Sequence, residues 1–222
     1  MFRVRRLLLV LIVFGLPLIL TARCGWSEDK TTDSKKKAKP IDLLKMIDPV
    51  RHSIGGKWAF QKLVLISDSE GVCKLMIPYQ PPAEYDLEIV ARRLRGKDGI
   101  GISVPIEKSQ PCVMLDGFAM TVSGISRVDS KPFDQNDTAS NQRVFPDAGD
   151  ATVVCRVRQN AIEVTTDGKT IIEWKGDSKR LSFHTDLEVP NKTVLALGTW
   201  HTSFAISKLT LTPVTGEGKK LK

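Results

Sequence analysis

The chain has few of the side chains that most often carry chemistry. It holds three histidines, four cysteines, two tyrosines and an aromatic fraction of 6% in 222 residues. His52, His184 and His201 are scattered, and none adjoins a Gly-x-Ser-x-Gly elbow, so a serine-hydrolase triad has no support. Gly99-Ile100-Gly101 lacks the third glycine and following helix of a dinucleotide fingerprint, and no phosphate loop occurs. The cysteine spacings match no metal knuckle, and no Asp-x-Asp-x-Asp loop is present, so neither a metal nor a cofactor is expected. Also missing is any helical apolar period longer than two turns.

Excess charge is missing from the middle of the chain. The formal net charge is +8, of which residues 1–27 carry +4, residues 28–40 carry +2 and residues 216–222 carry +2. Residues 41–215 are therefore balanced, and the basic groove that nucleic acid requires is not indicated. The three N-terminal arginines, the apolar run over residues 7–22 and Gly25-Trp26-Ser27 read as a secretory leader with its cleavage site. The run is short for a bilayer span, which needs about 20 apolar residues, and Pro17 interrupts it; an uncleaved anchor is the alternative, and the only membrane link expected. Arg23 ahead of Cys24 does not suit a lipidation signal. With Cys24 lost alongside the leader, Cys73, Cys112 and Cys155 remain, an odd set that allows one internal bridge at most. The localisation expected is secreted, periplasmic or at the cell envelope.

Residues 28–40 are Lys, Thr, Asp and Ser with little to bury, the composition of a disordered linker. Residues 41–47 carry a short helical spacing that stops at Asp48-Pro49. Beyond Gly55-Gly56, runs of Val, Ile, Leu and Thr alternate with Gly, Pro, Asn and Asp clusters, the pattern of an all-β sandwich or barrel. Strands are expected near 57–66, 72–78, 84–92, 100–106, 112–118, 121–128, 152–158, 161–166, 170–174, 193–198 and 203–213. Asp167-Gly168 marks a two-residue hairpin, because both residues tolerate positive φ. Residues 130–150 have little apolar content and read as a long surface loop. The domain is thus expected over 41–216, with a basic tail over 217–222.

Several segments recur in this order in a known group of proteins. They are Ile41-Asp42-Leu43-Leu44, Ile47-Asp48-Pro49, Gly56-Lys57-Trp58, the stretch from Ile77 to Leu87, Leu115-Asp116-Gly117-Phe118, Asp167-Gly168-Lys169, Trp174-Lys175-Gly176-Asp177 and Leu197-Gly198-Thr199-Trp200. On these residues the chain resembles bacterial secreted domains with the concanavalin A-like, laminin-G-like jelly roll, and is more distantly similar to the 3-keto-disaccharide hydrolase domain. The resemblance implies a two-sheet antiparallel jelly-roll sandwich with one short N-terminal helix, a concave face and a glycan ligand. Fold alone does not carry an activity across.

Glu84-x-Asp86-x-Glu88 sets three carboxylates on one face of a strand, with Tyr85, Leu87 and Ile89 on the other. The pattern is similar to that of jelly-roll β-glucanases, in which the first glutamate is the nucleophile and the last the acid/base. Retaining hydrolysis needs the two carboxyl groups about 5–5.5 Å apart, whereas a rise of about 3.3 Å per residue puts these backbones ~13 Å apart. The lead-in Pro81-Pro82-Ala83 also lacks the glucanase approach, so a solvated face is the stronger reading. Trp58 and Trp174 read as core; Trp200, at a strand end beside His201, stays open between core and a stacking platform for sugar. Asp116 is either a carboxylate offered to sugar hydroxyls or a satisfied turn residue.

The leading expectation is a non-catalytic module that binds carbohydrate or another extracellular ligand through Asp116, Trp200 and His201, with Arg92 as a further contact. The alternatives are a glycoside-cleaving enzyme, either glucanase-like using Glu84 and Glu88 or with an activity like that of the 3-keto-disaccharide hydrolases, and a structural envelope protein that associates through sheet edges.

Overall fold

Strands, many of them alternating between buried and exposed side chains, dominate the computed structural model, which describes residues 38–221. The leader expected over residues 1–27, and all but the last three residues of the expected linker, lie outside the described residues. The strands of the first half are β1 Ile41–Asp42, β2 Ser53–Gly55, β3 Trp58–Gln61, β4 Val64–Ser67, β5 Val72–Met76, β6 Tyr79–Gln80 and β7 Glu84–Arg95. Then come β8 Ile100–Ser103, β9 Cys112–Asp116, β10 Val122–Ile125 and the short ribbon of β11 Arg127–Val128 with β12 Lys131–Pro132. The second half holds β13 Ala151–Arg158, β14 Ala161–Thr166, β15 Lys169–Lys175, β16 Ala196–Trp200, β17 Ser203–Thr215 and β18 Lys219–Lys220.

Two antiparallel sheets result. The larger has eight strands in the order β15-β14-β13-β7-β17-β4-β3, with β1 also against β17; the smaller has six, in the order β10-β9-β8-β16-β5-β2. Tyr85, Leu87, Ile89 and Ala91 point from β7 into the space between the sheets, each no more than 1% exposed. Ile100, Ile102, Val113, Leu115, Leu75 and Leu197 meet them from the smaller sheet. Each large apolar side chain buried in this way stabilises the fold by roughly 1.5–3 kcal/mol. The chain is therefore an all-β, two-sheet antiparallel jelly-roll sandwich with a short helix, α1 Pro49–His52, near its start.

Three local expectations are corrected. Residues 41–47 are not helical throughout: Ile41 and Asp42 pair with Leu211 and Thr210, and a 3-10 turn follows over Leu44–Met46. The helix begins only at Pro49, where the side chain of Asp48 accepts the N–H groups of Val50 and Arg51. The run 57–66 is two strands, folded at Lys62-Leu63 with Lys62 at φ 57°. Nor is the expected basic tail free over its described residues, since Lys219 and Lys220 pair with Gln80 and Tyr79.

The loop over 130–150 lies on the surface as expected, most of its residues being exposed, but it is pinned at several points. Phe133, Asn136, Thr138, Val144 and Phe145 are all buried. The Asn136 amide lies 2.9–3.2 Å from the carbonyl oxygens of Ile125, Lys131 and Pro132, and its Oδ1 accepts from the N–H and hydroxyl of Thr138.

Candidate functional site

The turns that join β4 to β5, β7 to β8, β9 to β10 and β16 to β17 lie at one end of the sandwich, because their strands pair there in register. Ser203 faces Arg95, Trp200 faces Val72, and Ile100 faces both Thr199 and Leu115. Asp116, Trp200, His201 and Arg92 all map to this end, yet they do not converge.

Asp116, expected to face a ligand, is internal and only 1% exposed. Its Oδ2 accepts from Arg93 Nη2 and from the Phe145 N–H, both at 3.0 Å, and its Oδ1 accepts from the Val144 N–H at 2.8 Å. The Arg93 guanidinium also donates to the Asp98 carbonyl and lies 5.7 and 5.3 Å from the ring centres of Phe145 and Phe204. Arg93 points inward because it follows the parity of Tyr85 to Ala91 along β7. Asp116 thus ties the smaller sheet to the larger and pins the end of the long loop.

Trp200 lies half-buried on the outer face of the smaller sheet. Its Nε1–H donates to Asp186 at 3.4 Å, and its ring meets His184 edge to face at 5.5 Å. Burial pulls His184 below the usual histidine range, against the opposing pull of Asp186. His201 is exposed in the turn that follows, at φ 45°, with its N–H on the Gly71 carbonyl. Arg92 is on the opposite surface, the outer face of the larger sheet, 3.8 Å from Asp150.

Glu84, Asp86 and Glu88 share that outer face, and each has a partner from a neighbouring strand or turn. Asp86 pairs with Arg158 at 2.8 Å, Glu88 with Lys208 at 2.8 Å, and Glu84 accepts the Gln159 N–H at 3.2 Å. Asp86 and Glu88 are thus each paired with a cation and Glu84 with a backbone N–H, so Glu84 and Glu88 share no partner. Among the described residues, no group of three or more His, Cys, Asp or Glu is arranged to hold a metal ion.

The same face carries a trough that the sequence reading missed. Arg92, Ala205, Ile66 and Ala59 stand side by side across β7, β17, β4 and β3. Ala59 and Ala205 keep the surface low between Ile66 and Arg92, and toward the strand ends it opens into a cavity of about 480 Å³. Ala59, Ile66 and Leu94 give it apolar contact; Lys57, Gln61, Asp68 and Arg95 give it a polar rim. Ser67 and Ser203 close the base, Ser203 Oγ donating to the Ser67 carbonyl and the Phe204 N–H to Ser67 Oγ. Among the described residues, neither Lys57 nor Arg95 is engaged in an ion pair. The surface can therefore offer hydrogen-bond donors, one carboxylate and a modest apolar floor to a hydroxyl-rich ligand.

No family model matches the chain, and no curated protein sequence does. Solved structures match on shape. The VIP36 exoplasmic/lumenal domain in its Ca2+-bound form has a TM-score of 0.52 at 12% identity, over 80% of this chain and 90% of that one. In its Ca2+/Man3GlcNAc-bound form the same domain scores 0.51 at 11% identity, over 78% and 89%. The carbohydrate-binding module CBM66 from Bacillus subtilis scores 0.49 at 10% identity, over 80% and 97%. At such identities the likeness is one of fold, and it agrees with the strand order: the chain is a two-sheet antiparallel jelly-roll β-sandwich.

Proposed function

We propose that this protein is a non-catalytic carbohydrate-binding module, secreted or held at the cell envelope, that takes its glycan in the trough on the outer face of the larger sheet. The observation that carries the reading is the trough itself. It joins an apolar floor, suited to the C–H faces of a sugar ring, to the uncommitted donors of Lys57, Gln61 and Arg95 and the acceptor Asp68. The fold shared with a domain described in a Man3GlcNAc-bound form supports it, as does the leader-like N-terminal sequence. Arg92 extends the trough toward β7, while Trp200 and His201 lie on other surfaces and are not assigned to it.

A glycan array followed by calorimetry on the best ligand tests the proposal. Gln61→Ala and Arg95→Ala, both at exposed positions, are expected to weaken binding about tenfold each, the effect of losing roughly 1.4 kcal/mol of hydrogen bonding. Glu84→Gln and Glu88→Gln are expected to leave it unchanged. Failure to bind any glycan, or affinity insensitive to both trough variants, overturns the reading; glycan cleavage lost in either glutamate variant restores the enzyme in its place.

A further inference from the structure

We propose that a second cleft, between residues 42–47 and the β3–β4 hairpin, captures a single acyl chain that ends in an anionic head group. The cleft exists because the larger sheet has a gap. Ile206 is the last residue of β17 paired with β4; the strand then bulges at Ser207, and its next neighbour on that side is β1, at Thr210. A cavity of about 600 Å³ occupies the gap, inside the ~300–1,000 Å³ common for small-molecule sites.

Its walls are apolar. Leu44 and Ile47 come from the N-terminal segment, Phe60 and Leu63 from the hairpin. Leu63, at the hairpin apex, is 84% exposed, so its side chain stands in water unless something covers it. Ser207 and Thr210 complete the lining, and a methylene chain would bury its surface against the four hydrocarbon side chains.

The mouth is cationic, with Lys45, Lys62 and Lys208 against the single carboxylate of Asp42. Lys45 is held by Asp42 at 3.3 Å, and Lys208 by Glu88 at 2.8 Å. Lys62 engages in no ion pair among the described residues, and it sits next to Leu63 at the apex of the hairpin. The uncommitted cation beside the exposed end of an apolar channel fixes the ligand's polarity: hydrocarbon inside, anion at Lys62. The cleft shares no lining residue with the trough, so this inference stands or falls apart from the glycan reading.

The test is a calorimetric titration of the purified protein with monomeric dodecanoate, below its micelle concentration, beside dodecyltrimethylammonium, which has the same chain and the opposite charge. Co-sedimentation with phosphatidylglycerol vesicles forms a third arm. Saturable one-to-one binding of dodecanoate is expected, with the cation weaker. Lys62→Glu and Leu63→Ser, both at exposed positions and so compatible with folding, are expected to weaken it about fivefold each. The proposal is overturned by equal affinity for the two amphiphiles, by unchanged affinity in Lys62→Glu, by no saturable binding, or by binding to vesicles alone, which would mark adsorption to a bilayer instead of capture of a chain.

Discussion

Arg93 Nη2 lies 3.0 Å from Asp116 Oδ2, joining the central strand of the larger sheet to the end of β9 in the smaller one, with side chains 6% and 1% exposed. A pair this deep is a poor source of net stability, because desolvation offsets most of its attraction, but breaking it is costly. Asp116→Ala would leave a buried guanidinium without its counter-charge and strip the Val144 and Phe145 N–H groups of their acceptor. The expected loss is about 3–5 kcal/mol in urea denaturation, with proteolytic cutting appearing first in residues 143–150. A loss below about 1 kcal/mol would mean the pair does not bridge the sheets.

Cys73, Cys112 and Cys155 are free and fully buried. Burial pushes the Cys155 thiol up to about 12 and raises Cys112 further. A thiol buried out of reach of the reagent does not react, and all three are 0% exposed. Iodoacetamide at pH 8 is expected to leave all three unmodified in the folded protein and to alkylate all three in urea, as read by intact mass. A reductant is expected not to shift the melting temperature.

The buried His52 accepts the Asp48 N–H at Nδ1, 2.9 Å away, which requires that nitrogen to be unprotonated. Burial lowers its pKa, with Asp48 opposing, and burial lowers His184 too. A histidine whose folded pKa lies below its free value of 6.5 binds more protons when unfolded. Stability from these two groups is thus complete above about pH 6.5 and falls as pH drops from there toward their folded pKa values. Asp129 and Asp147, held low by Arg180 and Arg143, titrate in a separate window below about 3.8. Urea midpoints measured from pH 7.5 to 5 are expected to decline. In His52→Asn, whose Oδ1 can accept the same N–H without titrating, the decline is expected to be shallower.

The parts of this fold legible in the sequence are those that depend on neighbours along the chain. Alternation over Tyr85, Leu87 and Ile89 marks the buried face of β7, and Asp167-Gly168, at φ 47° and 81°, makes the hairpin that its residue types call for. Lys62-Leu63 turns just as sharply without any turn signature, so two strands read as one. The loop over 130–150 reads as solvated because its composition is polar, yet Asn136 and Asp116 supply internal partners that no composition displays. The trough is hidden for a related reason. Lys57, Asp68, Arg95 and Ser203 are brought together only by the register of β3, β4, β17 and β7, and strand order of that kind is not written in local pattern. Acids and tryptophans stand out in the sequence as sugar-binding types, but the fold uses Asp116 internally and sets Trp200 on the outer face of the smaller sheet.

Gly198 and Gly101 face each other across β16 and β8, and Leu187 lies over both. A Cβ at Gly198 would overlap the end of the Leu187 side chain, so the glycine is needed for close approach and not for an unusual backbone angle. Leu187, 2% exposed, fastens the 3-10 turn Thr185–Leu187 to the smaller sheet, and that turn carries the Asp186 that Trp200 bonds. Gly198→Ala should therefore expel Leu187 and cost about 1–3 kcal/mol through overpacking, with faster amide exchange over residues 183–192. Leu187→Ala alone should cost about 2–5 kcal/mol, since it empties the slot. In the double variant the new methyl enters the space that the leucine vacates, and the combined loss should fall short of the sum by about 0.5–3 kcal/mol. Urea denaturation of the four proteins closes the cycle; strictly additive losses would mean that Leu187 does not occupy the glycine slot and that something else holds the turn and Trp200 in place.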